Sequence, residues 1–150
     1  MLPTDTQAPD FTLPDDQDRP CRLHAVLKKG PLILYFYPAD FTPGCTTEAC
    51  TLRDMHEELV ATGLRVLGVS PQSPESHRRF RQKYQLPFNL LSDPDKRVIK
   101  AYDCDGPLGI SVRRASYLID PSAKIRASLL ADFRITEHTK FFKQSIDLKL

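Results

Sequence analysis

An α/β fold built around a central mixed sheet is the architecture this sequence predicts, and three observations point to it. Strand-like and helix-like stretches alternate along the chain, with no internal repeat and no long linker. Residues 32–37, Leu-Ile-Leu-Tyr-Phe-Tyr, form an apolar, aromatic-rich run of the kind that makes a buried central strand. The 150 residues, 41% of them hydrophobic, suffice for one domain, residues 1–150, with a substantial core.

Taken in order, residues 11–13 and 22–24 read as short edge strands flanking a loop from Pro14 to Pro20. The central strand stops at Pro38, which has no N–H to give a ladder. Thr42 and Pro43 form an N-cap and first-turn pair for a helix. Leu52, Met55, Leu59 and Val60 then recur at helical spacing, and Gly63 ends the helix. A second strand, residues 64–70, stops at Pro71, and Ser73-Pro74-Glu75 opens a helix to about Tyr84. Leu90-Leu91 is a brief strand, and Asp93-Pro94 starts a helix through Ala101. Residues 116–119 and 125–130 make a hairpin, and Thr136-Glu137 begins a last helix packing through Phe141, Phe142, Ser145 and Ile146.

Chemistry concentrates at residues 38–50. Cys45 falls in the first turn of the predicted helix, where unpaired N–H groups and the helix dipole favour a thiolate. The Thr42 hydroxyl, three residues earlier, is placed to bond the sulfur or a bound oxygen. The string Pro38-x-x-x-Thr42-x-x-Cys45-x-x-Glu48 resembles the active-site signature of peroxiredoxins. With Phe36-Tyr37-Pro38 before it and Cys50 after it, the stretch is similar to the bacterioferritin-comigratory-protein (peroxiredoxin Q) branch. Residues 8–15, 69–71, 76–80, 86–93 and 116–120 extend that likeness over most of the chain.

The resemblance implies a thioredoxin-like fold and thiol-dependent reduction of hydrogen peroxide and organic hydroperoxides. Cys45 would be oxidised to a sulfenic acid, while Thr42 and an arginine hold the peroxide oxygens and Pro38 walls the pocket. Counted back from Ser116-Tyr117-Leu118-Ile119-Asp120, that arginine is Arg114; Gly109-Ile110 leaves a longer gap than the family pattern has. Strand alternation puts Arg113 and Arg114 on opposite faces, which leaves Arg113 as a solvated charge.

Cys50 would be the resolving cysteine, closing an intramolecular disulfide that thioredoxin, or else glutaredoxin, reduces. Residues five apart on an intact helix have Cα atoms roughly 8–9 Å apart and diverge by about 140°. A disulfide needs under about 7 Å, so the bond requires the first turns to unwind, from Thr42 to about Leu52. Cys21 and Cys104 read as structural. The carboxylates of Asp103 and Asp105 raise the pKa of Cys104, although a loop position leaves it an alternative resolving thiol.

Net charge of +2 implies no committed polyanion partner, and residues 77–83 read as the solvated face of a helix rather than a nucleic-acid site. Cys21-x-x-His24 and Cys45-x4-Cys50 do not make the two close pairs of a structural zinc site, so neither a metal nor a cofactor is expected. Residues 1–5 lack the basic and apolar regions of a secretory leader, and no run reaches membrane-spanning length. Reduced thiols in a cytoplasmic monomer, with no membrane or nucleic-acid partner, are the expectation. Two other classes share these features: a dithiol–disulfide oxidoreductase, which would typically carry a Cys-x-x-Cys, and a non-catalytic peroxide sensor.

Overall fold

Side chains of the central strand β3 (Leu32–Phe36) alternate between two cores. Leu32, Leu34 and Phe36 enter one, and Ile33 and Tyr35, with Tyr37 just beyond the strand, enter the other. The computed structural model describes every residue except Lys149. β3 lies mid-sheet in the order β5–β4–β3–β6–β7, formed with β4 (Arg65–Ser70), β5 (Asn89–Ser92), β6 (Ala115–Ile119) and β7 (Ile125–Leu130). It pairs parallel with β4 and antiparallel with β6, so the sheet is mixed as expected.

One face is covered by α2 (Pro43–Ala61), α3 (Pro74–Tyr84) and α5 (Ile135–Asp147), which bring Leu52, Phe80 and Phe142 onto Tyr35 and Tyr37. The other is covered by α1 (Leu23–Leu27), α4 (Arg97–Ala101) and the two-stranded ribbon β1 (Thr12–Pro14) and β2 (Pro20–Arg22). The end of α2 shows why Gly63 stands where it does. Its φ of +84° lets the Leu64 amide reach Leu59 O at 3.0 Å while its own amide reaches Val60 O at 2.9 Å.

The structure corrects several expectations. Residues 22–24 do not form a strand: β2 ends at Arg22, and α1 follows, burying Leu23 and Leu27. Outside support for its first turn comes from the Phe11 carbonyl, which accepts the Leu23 amide at 3.0 Å, and from Asp10, whose Oδ1 accepts the His24 amide at 3.2 Å. The helix expected from Asp93-Pro94 begins only at Arg97, because Lys96 takes φ +60° and breaks the helical path. Asp93 instead accepts the Ile99 amide from outside the helix. Val60 points to solvent at 51% exposure, one position off the buried face of α2. His77 is fully buried rather than part of a solvated basic face.

Gly68 of β4 marks the tightest approach within the sheet core. A Cβ there would stand 2.7 Å from Tyr35 Cζ and 2.9 Å from Leu90 Cδ2. The Tyr35 ring cannot swing away freely, being stacked on Tyr37 at 5.4 Å and edge-on to Phe88 at 6.2 Å. Gly68→Ala is therefore expected to cost about 1–3 kcal/mol, read as a lower urea midpoint. An unchanged midpoint would mean that the ring yields.

Candidate active site

The loop between β3 and α2 reaches the site under two restraints. Asp40 is fixed by the Tyr37 hydroxyl at 2.7 Å, the Ser76 hydroxyl at 2.8 Å and His77 Nδ1 at 2.7 Å, with the Asp40 and His77 side chains fully buried. Phe41 adopts φ +66° and lays its ring against Phe80 at 5.1 Å. Pro43 then occupies the first position of α2, Gly44 the second and Cys45 the third, as the Thr42-Pro43 pair predicts.

Cys45 is 2% exposed, and Arg114 Nη2 donates to its sulfur at 3.1 Å. Gly44 makes that approach tight: a Cβ on it would lie 3.1 Å from the same Nη2. The guanidinium is held on its other edges. Nη1 donates to Glu48 Oε1 at 2.8 Å and Nε to the Asp132 carbonyl at 3.4 Å, while the Arg114 amide donates to Asp132 Oδ1 at 3.0 Å. Arg113 points away and pairs its Nη2 with Asp132 Oδ2 at 2.8 Å, with 41% of its side chain exposed. Both arginines precede β6 rather than lying in it, so the divergence arises in the connection and not from strand alternation.

Asp132 thus orients both arginines. Burial opposes its charge, but the hydrogen bonds from Arg113 and the Arg114 amide outweigh it and hold the carboxyl below the usual range. Glu48 is the reverse case: burial pushes its carboxyl up to about 7 against the pull of Arg114. His138 completes the group from α5, its Nδ1 3.4 Å from Glu48 Oε2 and 2.9 Å from Ser116 Oγ. Burial, more than the nearby Arg114, pushes that imidazole down to about 4.

The remaining expected site residues are placed as follows. Thr42 is exposed and its hydroxyl donates to Ala39 O at 2.9 Å, so it bonds neither the sulfur nor the helix amides. Pro38 is exposed and lines an open groove with Gly44, Arg114, Phe133 and Ile135. Cys50 is half-buried on the same unbroken helix as Cys45, and both thiols are free. Cys104 is not a mobile loop thiol: it is fully buried with Phe36 and Tyr102 in the opposite core from Cys45. Burial, with smaller contributions from Asp103 and Asp105, pushes it up to about 12.

Sequence reasoning gave no role to Glu48, His138, Asp132, Asp40 or His77. For His138 a pattern existed: 138, 141, 142 and 145 follow i, i+3, i+4, i+7, and all four are buried. Among the described residues, no helix is long and apolar enough to cross a membrane.

The family described as AhpC/TSA matches residues 4–128 of the chain. A putative peroxiredoxin bcp of Coxiella burnetii is 44% identical over 127 residues, 81% of this chain and 83% of that protein. The chain spans 70% of the length of the chloroplastic peroxiredoxin Q of Sedum lineare and 60% of that of rice. Among solved structures, peroxidoxin BcpB from Mycobacterium tuberculosis superposes with a TM-score of 0.91 at 31% identity, over 98% of this chain and 97% of that one. A Xanthomonas campestris bacterioferritin comigratory protein, studied for alkyl peroxide reduction, superposes at 0.84 and 26% identity, over 91% and 90%.

Proposed function

The chain belongs to the AhpC/TSA family, in its bacterioferritin-comigratory (peroxiredoxin Q) branch with a thioredoxin-like fold, and is a thiol peroxidase; we propose that Cys45 is the sulfur that reduces the peroxide. The observation that carries this assignment is the Arg114 guanidinium 3.1 Å from a cysteine in the first turn of α2. The Cys45 thiolate attacks one oxygen of the O–O bond. An S–O bond forms, the O–O bond breaks, and the leaving oxygen takes a proton to depart as water or an alcohol. Arg114 and the first-turn amides are fixed donors facing the charge that develops on the oxygens.

Thr42 has committed its proton to Ala39 O, so its lone pairs are left to accept the O–H of the hydroperoxide. Pro38 lines a groove with Gly44, which precedes Cys45, and with Arg114; Phe133, 97% exposed, and Ile135 line it too. These apolar walls support organic hydroperoxides as substrates beside hydrogen peroxide. Cys50 then attacks the sulfenic sulfur of Cys45 and expels water, and a thioredoxin returns the resulting disulfide to two thiols. With both thiols on one helix, the cycle needs no second subunit and no cofactor; it is assigned to a single-domain monomer, residues 1–150, in a reducing cytoplasm.

Mass spectrometry after one equivalent of hydrogen peroxide, with free thiols alkylated, tests the assignment. The expected product is a Cys45–Cys50 disulfide with Cys21 and Cys104 alkylated. A stable sulfenate on Cys45, or a bond to Cys104, removes the resolving role from Cys50. An unoxidised Cys45 overturns the reading.

A further inference from the structure

Behind Arg114 the chain buries two titratable groups for which the peroxidatic step has no direct use. Glu48 Oε1 accepts from Arg114, but Oε2 is fully buried and without a hydrogen-bond partner. Oε2 faces His138 Nδ1 at 3.4 Å, and both side chains have no exposure. His138 Nε2 lies 3.0 Å from the Ala131 carbonyl, which only accepts, so Nε2 carries a proton. A neutral ring therefore leaves Nδ1 one lone pair, which the Ser116 hydroxyl at 2.9 Å reaches as donor, so an ionised Glu48 Oε2 finds no donor there. One proton added to the pair repairs the contact, whichever of the two atoms carries it.

We propose that Glu48 and His138 share one proton in the resting enzyme and act as positioning residues for Arg114, leaving its charge to the Cys45 sulfur when the pair is protonated and drawing it away when the pair ionises. The inference rests on Cys45 being the reacting sulfur. With a thiolate at Cys45, a guanidinium at Arg114 and one proton on the pair, the buried group is neutral. Loss of that proton leaves an uncompensated negative charge in the core, the costly state. Burial raises Glu48 to about 7 and lowers His138 to about 4, which puts the shared proton on the carboxyl rather than on the ring. The groups acting on the pair are Arg114 before β6, Tyr35 of β3, Cys45 one turn earlier in α2, and Asp132 and Glu137 near His138.

The test is the rate of Cys45 alkylation by iodoacetamide from roughly pH 5 to 9, located by mass spectrometry, since the rate follows the thiolate fraction. The wild-type curve should rise more gradually than a one-proton titration, because Glu48 ionises over the same range and opposes the thiolate. Glu48→Gln keeps an acceptor for Arg114 Nη1 but cannot ionise. Its curve should sharpen to one proton, with alkylation near wild type at pH 6, where Glu48 keeps its proton, and several-fold faster above about pH 7, where wild-type Glu48 has lost it. A Glu48→Gln curve superimposable on wild type overturns the proposal. If that variant fails to fold, infrared spectra of the wild-type protein decide. A buried carboxylic acid C=O band that disappears as pH rises through about 7 supports the shared proton, and absence of the band overturns it. Alkylation uses no peroxide, so either result is separable from failure of the peroxidase assignment, which Cys45→Ser tests.

Discussion

Replacing Cys45 with serine is expected to reduce peroxide turnover to the uncatalysed level while the protein stays folded. The hydroxyl takes nearly the volume of the thiol in a site that is 2% exposed, so packing against Tyr35 and Ala49 changes little. A thiolate is a strong nucleophile toward peroxide oxygen, whereas a serine hydroxyl keeps its proton at neutral pH and is a very weak one. Cys104 is no substitute, since burial has pushed it up to about 12 in the opposite core. Arg114→Lys separates charge from geometry. A lysine retains the positive charge, but one Nζ cannot serve the Cys45 sulfur, Glu48 Oε1 and the Asp132 carbonyl as three guanidinium nitrogens do. Removing a fixed donor of this kind costs about 10²–10³ in rate. Competition with a haem peroxidase for hydrogen peroxide measures both variants. Residual turnover in Cys45→Ser would move the nucleophile elsewhere, and an Arg114→Lys rate near wild type would show that charge alone suffices.

What the sequence made legible was whatever local chemistry specifies. Thr42-Pro43 marks a helix start within three residues, and Cys45 is placed by that start alone. Arg114 was reachable through its short spacing to a recognisable strand, although it meets Cys45 from 69 residues away. Asp132, Glu48 and His138 were not legible as a group, because their meeting depends on α5 crossing back over α2 after the whole sheet has been laid down. The same limit explains His77. Read along α3 it belongs to a basic run, and only the fold delivers Asp40 and the Leu91 carbonyl to its two ring nitrogens. Helix α1 escaped notice for a related reason: one of its first-turn partners, Asp10, lies 14 residues from the amide it accepts.

Oxidation to a Cys45–Cys50 disulfide is expected to melt the start of α2 and leave the rest of the fold in place. In the reduced chain α2 runs unbroken from Pro43 to Ala61, with both cysteines within it. An intact helix holds residues five apart roughly 8–9 Å from each other at Cα, beyond the reach of about 7 Å for a disulfide. The melt has fixed limits on both sides. Upstream, Asp40 is held by Tyr37, Ser76 and His77, and the Phe41 ring rests on Phe80. Downstream, Leu52 is fully buried and Arg53 Nη1 donates to the Tyr84 carbonyl at 2.8 Å. Between these anchors the segment from Thr42 to about Leu52 must give up helical hydrogen bonds and withdraw Glu48 from Arg114. Amide exchange there should accelerate at least about a hundredfold on oxidation, as protection falls toward that of a frayed end. Amides of α3 and β6 should keep theirs. A segment equally protected in both redox states, in protein that has consumed one equivalent of peroxide, would mean that the sulfenate on Cys45 is resolved by something other than Cys50.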